Sequence, residues 1–564
     1  MKATPRKTLL GPAVAVLLVL AVHAVLTVAN LHMDGDALRE AWKVSLTGSF
    51  GDTLVHRGRH TVLYVAQSPV IWGVTRAGSR LWTAWNPLSA TRLLNILAMA
   101  GIAWLLWRAA GSAGCGPAGR AAAVLAPFLW HGFSFLVAEC DDNVTTDLPR
   151  VAFILGLGWR YGAFRGHAPG PASGAAGSAA SGSDGLPSAG SAPGSAASGT
   201  DPSYGSAPFH LDSLPVLGAV LGMAIAWHFQ SVMLVPVLVL VPLLPPNAVS
   251  PGRGARDVIP VLVAALLVYS AWLGGSLAAG LLHSVSPAEA LRAFTEHHAS
   301  PAGYWFFSSG RSPSGQAGLL AEGWGRMVMG FRTLRPAGGT AVLVAVAVVT
   351  AVTAVAALRA LWGTPALKVL GTAVAVHTAH ALFYESNSIE RWDIPALLSG
   401  LVGAMALVRL RRNGSAGQVR RLGLMMAGAA GVLLLCNITA YWRFATLAEG
   451  RFIAAARGEG AFEEPPLDCI GAHFALCRTA RRMPAIAGPD DGLVDLVRTV
   501  PIDSRIEYFL GNWFSIYLYL YAPEMMARKG SGSLAMSLLS PPASPRYRVI
   551  LDTHIVQVLR QVKQ

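Results

Sequence analysis

The stretch Leu9–Trp42, LLGPAVAVLLVLAVHAVLTVANLHMDGDALREAW, decides how the chain is read. Its first part, Leu9 to Leu31, is a long apolar run without acidic or basic residues other than His23, long enough to cross a bilayer as one helix, which needs about 20 residues. Immediately after it come two carboxylates, Asp34 and Asp36. Acids at a membrane edge are costly to desolvate and are often placed there for chemistry or ion handling. The simpler alternative is a solvated helix cap, a role for which Asp is well suited.

Working outward, composition supports a membrane protein. The 564 residues are 53% hydrophobic and 13% charged, with a mean hydropathy of +0.47. A soluble domain carries roughly 25% charged residues. The run Leu9–Leu31 reads as a signal anchor forming the first span rather than a cleaved signal peptide, since it is long and more spans follow. The formal charge of +14 fits arginine-rich cytoplasmic loops facing anionic lipid, not nucleic acid. No Walker sequence, zinc-type Cys/His spacing or dinucleotide glycine pattern is present.

About eleven spans are expected from hydropathy. They lie at Leu9–Leu31, Leu88–Trp107, Ala121–Ala138, Leu148–Trp159, Leu214–Trp227, Val232–Leu244, Val258–Leu277, Ala341–Leu358, Val369–Phe383, Ile394–Val408 and Leu422–Tyr441. With the N-terminus inside, the inner loops collect Arg108, Arg120, Arg160, Arg165, Arg253, Arg256, Arg359, Lys368, Arg409, Arg411, Arg412, Arg420 and Arg421. The short outer loops collect Glu139, Asp141, Asp142 and Asp147, then Glu385, Glu390 and Asp393. This is the positive-inside pattern. Thr61–Thr75 is apolar but short, with Gln67 and Pro69 near its middle, so it reads as a partly buried or re-entrant part of the first outer loop, 32–87. Counting it as a span would put every basic loop outside.

The chain therefore divides into an N-terminal membrane part (1–163), a linker (164–208), a second membrane part (209–441) and an outer domain (442–564). The linker is built of Gly, Ala, Ser and Pro and cannot bury a core. The outer domain mixes helical patches with strand-like YRVILDTHIV and reads as a small α/β unit. Within it, Cys469 and Cys477 bracket CIGAHFALC. They form either a disulfide, which an oxidising compartment permits, or two unpaired buried thiols.

Four constellations could carry chemistry. The first is Asp34 with Asp36. The second is ECDDN, Glu139 to Asn143, whose crowded acids can bind a cation, as against an exposed acidic turn. The third is YESNSIERWDIPALLSG, in which Arg391 could hold a phosphate bidentately or pair with Glu390 or Asp393 as a clasp. The fourth is His228 in WHFQS, a buried structural histidine or a hydrogen-bond donor to a phosphate or sugar. His377 and His380 share a helical face, but no third ligand accompanies them.

The order of these features resembles the GT-C glycosyltransferases of the protein-mannosyltransferase and lipid-A aminoarabinose-transferase type. NPLSATRLLNILAMAGIAWLLWR, Asn86 to Arg108, is similar to their entry into the second span. RHTVLYV, Arg59 to Val65, resembles their His-Pro-rich element without its prolines. LGMAIAWHFQSVMLVPVLVL and ERWDIPALLSGL are similar to their fifth-to-sixth span region and to a late element. The resemblance covers most of the chain by layout, with DGD standing where many relatives have an Asp-Glu pair.

The resemblance implies an all-α polytopic membrane protein with a small extracytoplasmic α/β domain. It implies sugar transfer from a polyprenyl-phosphate carrier to a lipid, glycan or protein acceptor outside the cytoplasmic membrane. Asp34 is then the general base, with Asp36 as alternative. Asp141 and Asp142 orient the acceptor or hold a cation, and His228, Arg391 and Glu390 bind substrate. No cofactor is required, and a divalent cation is an option. The competing classes are a transporter or flippase-like protein, against which no internal repeat relates the two halves, and a non-catalytic envelope assembly protein.

Overall fold

A computed structural model describes residues 7–29, 41, 44–45, 65–83, 85–139, 142–164, 207–244, 251–282, 286, 288, 313–383, 392–457, 459, 470–488, 491–497, 504–528, 533–538 and 546–562. Every expected span coincides with helix. The helices are α1 Lys7–Ala29, α2 Gln67–Leu81, α3 Pro87–Ser112, α4 Pro117–Leu125, α5 His131–Glu139, α6 Asp142–Arg160, α7 Leu214–Trp227, α8 Leu234–Leu243, α9 Pro251–Leu282, α10 Pro313–Met329, α11 Gly339–Ala360, α12 Thr372–Phe383, α13 Asp393–Arg412 and α14 Ala416–Ala456. A π turn, Leu367–Gly371, leads into α12.

Six of these helices are long and apolar enough to cross a membrane by themselves, namely α1, α3, α9, α11, α13 and α14, and a seventh crossing is made if α4 and α5 are counted together. The chain is thus an all-α multi-pass membrane protein. The other expected spans, α6, α7, α8 and α12, fall below that standard because they are short or carry charge. They lie among other helices: Val151, Phe153, Ile154 and Leu155 of α6 are wholly buried. A helix shielded by protein does not need a full apolar length. By contrast, α1, α9 and α11 leave Leu17, Leu18, Leu266, Leu267, Val344 and Val355 exposed, the surface expected to meet lipid.

The span formed by α4 and α5 is broken, bending by 79°. Pro127 and an extended Trp130 interrupt the helix. A break in a dry region frees backbone carbonyls, and these must find donors. Asn437 of α14 donates Nδ2–H to Phe128 O at 2.9 Å. Its Oδ1 then accepts from His131 Nδ1, 3.2 Å away. Thr27 and Asn95 both donate to Val137 O at 2.9 Å. His23 Nε2 and Ser134 Oγ are 2.7 Å apart. Three neighbouring helices therefore hold the bend. Gly400 of α13 lets that helix approach it closely, since a Cβ there would stand 2.5 Å from the Ala126 methyl.

Hydrogen bonds sort the helix ends onto two sides. On one side, Trp159 reaches Ser112, Arg160 pairs with Asp257 at 2.6 Å, and Lys368 lies over Tyr161. Most of the loop arginines belong to this basic side. On the opposite side, Ala66 donates to Ala226 O and Trp227 to Thr145. Helix α2 lies there. Its first residues, Gln67, Ser68, Pro69 and Ile71, are buried, whereas Leu81 and Trp82 are exposed. At 15 residues it is about 22 Å long, too short to cross about 30 Å of hydrocarbon. The described part of Thr61–Thr75, residues 65–75, thus runs into a docked helix, Gln67–Leu81.

Helix α14 has 41 residues, about 60 Å, and so outruns the bilayer. Its end, Phe452 and Ala456, is buried with Leu88 of α3 against the C-terminal α/β unit. That unit comprises α15 Ile470–Ile486, β1 Leu493–Val497, α16 Ser504–Tyr521, α17 Pro523–Ala527, β2 Leu534–Leu538, β3 Tyr547–Asp552 and β4 Val556–Gln561. The sheet order is β1-β2-β4-β3. The β1–β2 pair is parallel, with α16 as crossover, and β4 runs antiparallel to both β2 and β3. The strand-like YRVILDTHIV is the β3–β4 hairpin. Cys477 is a free buried thiol, 3.9 Å from the Tyr521 hydroxyl, and burial pushes it up to about 11. Cys469 lies outside the described residues.

Candidate functional site

Of the residues expected to act, Asp34, Asp36, Asp141, Glu390 and Arg391 lie outside the described residues. Asp142 begins α6, but its side chain is likewise undescribed. His228 is described fully. It ends α7 and caps the following 3-10 turn, Phe229–Met233. Its ring is buried, and Nδ1 accepts the Gln230 N–H at 3.2 Å. That cap is the structural part of its role. It fixes one face of the ring and brings His228 to the side where α2 docks.

The described flanks of these residues converge. Trp227 Nε1–H donates to Thr145 Oγ1 at 3.0 Å, joining the end of α7 to the first turns of α6. Below that contact lies Arg150, 4% exposed. Its Nε–H donates to Ser231 Oγ at 3.1 Å. Its Nη1 lies 3.4 Å from Asp147 Oδ1 and 3.9 Å from Asp393 Oδ2. The Asp147 and Asp393 carboxyls also interact with each other, and His377 of α12 lies within electrostatic range of the guanidinium. Asp393 is the first residue of α13, and its Oδ1 accepts the Ile394 N–H at 2.6 Å. Four elements thus meet around one guanidinium and two carboxyls.

This arrangement corrects the sequence reading at two residues. Asp147 and Asp393 read from sequence as members of short outer loops, whereas both lie in helices and are buried, at 0% and 1% exposure. The helix carrying Asp147 starts earlier than expected, at Asp142. An ionised aspartate inside a buried helix is costly unless it is paired, and Arg150 is spaced three residues along to pair with it. Arg150 was missed because it sits in an apolar run. The signal available was the spacing Asp-x-x-Arg within a span, which places both on one helix face. The clasp considered for Arg391 and Asp393 has a different visible partner, since Asp393 is engaged by Arg150.

An aromatic wall stands beside Asp393. Trp324 of α10 makes edge-to-face contact with Trp130 at 5.4 Å and with Trp392 at 6.1 Å between centroids. Helix α10 is in turn held by Glu322, which accepts from both Nη atoms of Arg335 at 3.0 Å. Among the described residues no three His, Cys, Asp or Glu side chains converge as a metal-binding set.

No protein-family model matches the chain, and no curated protein matches it in sequence. Its structure is similar to that of ArnT from Cupriavidus metallidurans bound to undecaprenyl phosphate, with a TM-score of 0.52 and 13% identity over 98% of this chain and 97% of that one. It is similar to the apo state of the same protein with a TM-score of 0.51 and 14% identity, covering 98% of each chain. The likeness extends over the membrane part and the C-terminal unit alike. The chain therefore has an ArnT-like fold.

Proposed function

We propose that this chain is a membrane glycosyltransferase that moves a sugar from a polyprenyl-phosphate carrier to an acceptor on the outer side of the cytoplasmic membrane. The observation that carries the reading is the full-length likeness in fold to a protein crystallised with undecaprenyl phosphate. The convergence of α6, α7 and α13 at one side of the membrane supports it. In this reading the acidic side and the C-terminal unit face outward and the basic side faces the cytoplasm, following the positive-inside rule.

The chemistry suits such a location, because the carrier's tail lies in the bilayer while its phosphate sits at the edge. Asp34 takes the proton of the acceptor hydroxyl as its oxygen attacks the anomeric carbon. The bond from that carbon to the phosphate oxygen breaks, and its electron pair leaves with the polyprenyl phosphate. Asp36 is the alternative base. Arg391 and His228 meet the phosphate and stabilise the charge it gains. Asp141 and Asp142 orient the acceptor or hold a divalent cation, and Glu390 contacts substrate.

The test is transfer of radiolabelled sugar from a polyprenyl-phosphate donor by the full chain in proteoliposomes. Asp34→Asn is expected to lower the rate by roughly 10²–10⁴-fold, the range for loss of a general base. Full transfer by both Asp34→Asn and Asp36→Asn would remove the catalytic assignment. Absence of transfer by the unaltered chain across hexosyl and pentosyl donors would remove the reading itself.

A further inference from the structure

We propose that Arg150 is a positioning residue for sugar transfer, whose guanidinium holds the start of α6, the turn that His228 caps and the start of α13 in one arrangement. The inference rests on the functional reading above. Three separate stretches of sequence carry the candidate residues, and each is anchored to Arg150 a few residues away. Asp147 and Arg150 lie on the helix that Asp142 begins. Ser231, bonded to Arg150 Nε, is in the turn that His228 caps. Asp393, near Nη1, opens the helix that follows Glu390 and Arg391. From Asp142 to Arg150 is about 12 Å along the helix, so the guanidinium lies about two turns in from the start of α6.

Stability alone is a poor explanation for such a cluster. Removing an arginine and two carboxyls from water is costly, and well-packed apolar side chains often serve stability equally well. What an ionic cluster adds is a defined geometry. A guanidinium is a rigid planar fork with five donors, so it meets several partners only when they stand at set angles. Ser231, Asp147 and Asp393 come from elements with no short connection between them, and a single guanidinium sets their spacing. Ionisable groups buried in membrane segments most often serve function.

Arg150→Lys keeps the positive charge for Asp147 and Asp393 but loses the fork and the Nε–H to Ser231. Ser231→Ala removes only that last bond, and Ser231→Thr restores a hydroxyl. Spin labels at Asn143 and Gln230 of the full chain in nanodiscs read the spacing of α6 from the His228 turn without any substrate. Arg150→Lys and Ser231→Ala are expected to broaden this distance distribution. They are also expected to lower kcat by roughly 10–100-fold, as small misplacements do, with little change in KM or thermal midpoint. Ser231→Thr is expected to recover both readouts.

An unbroadened distribution in both variants would overturn the inference, and so would activity lost only in step with thermal midpoint. If the unaltered chain transfers no sugar, the functional reading fails. The spin-label distances then decide by themselves whether Arg150 sets the geometry.

Discussion

The backbone N–H of Ala66 donates to the carbonyl of Ala226 at 3.0 Å. This bond joins the start of α2, in the first long loop, to the last turn of α7. Both residues are fully buried, beside Trp227. It shows how an apolar segment too short to span is used instead: its N-terminal turn plugs into the helix ends next to His228.

Cysteines placed at Ala66 and Ala226, in a chain otherwise free of cysteine, are therefore expected to form a disulfide. With a protease site introduced into the 164–208 linker, the two halves should stay joined after cleavage until reductant is added. If Thr61–Thr75 crossed the membrane, residue 66 would lie at mid-depth and the halves would separate.

The bend between α4 and α5 gives a second expectation. Gly330 has φ +75°, and a Cβ there would stand 2.9 Å from His131 Nε2. His131 belongs to the Asn437 network that satisfies the bend. A left-handed non-glycine residue costs about 1–2 kcal/mol, so Gly330→Ala should lower the thermal midpoint in detergent. Gly428→Ala, on α14 with open space around it, should leave the midpoint unchanged or raise it slightly, as alanine is the better helix former. Equal midpoints for the two variants would contradict this account of the bend.

Acid sensitivity should be local to the C-terminal sheet. Asp491 is held below the usual carboxylate range, first by the Ser533 hydroxyl, then by the Gly488 N–H and by Arg560. Gly488 N and Arg560 Nη2 approach its Oδ2 at 2.8 and 2.7 Å. A depressed carboxyl contributes stability that is present above its unfolded value, about 3.9. That stability is lost as pH falls through the lower folded value. Exchange protection of the Leu534 and Gln561 amides, which bond to Gly492 O and Ser533 O, should fall over that interval. Asp491→Asn should reduce the protection at neutral pH and flatten its fall in acid. Parallel curves for the two proteins would rule the carboxylate out.

Much of the fold was legible because hydropathy and loop charge are local sums. Each expected span coincides with helix, and Arg160 and Lys368, both assigned to inner loops, meet on one side. Strand-like YRVILDTHIV falls within β3 and the turn into β4. The site was legible only in outline. WHFQS, the acids after α5 and the segment before Asp393 were identified as separate pieces. Nothing in any one piece states that Arg150 lies between them, because a contact between α6 and Ser231 depends on which helices become neighbours.

The sequence by itself determined a multi-pass helical protein with acidic and basic sides and a terminal α/β unit. Lengths of apolar run and signs of loop charge suffice for that. Tertiary structure decided which polar residues in those runs are paired and which span breaks. Asp147 and Asp393 look solvated one at a time and are buried only because Arg150 meets both. The α4–α5 bend is tenable only because Asn437, far along the chain, reaches the carbonyl it frees. Desolvation of a charge or a carbonyl is settled by its neighbours in space, and those are set when the helices pack.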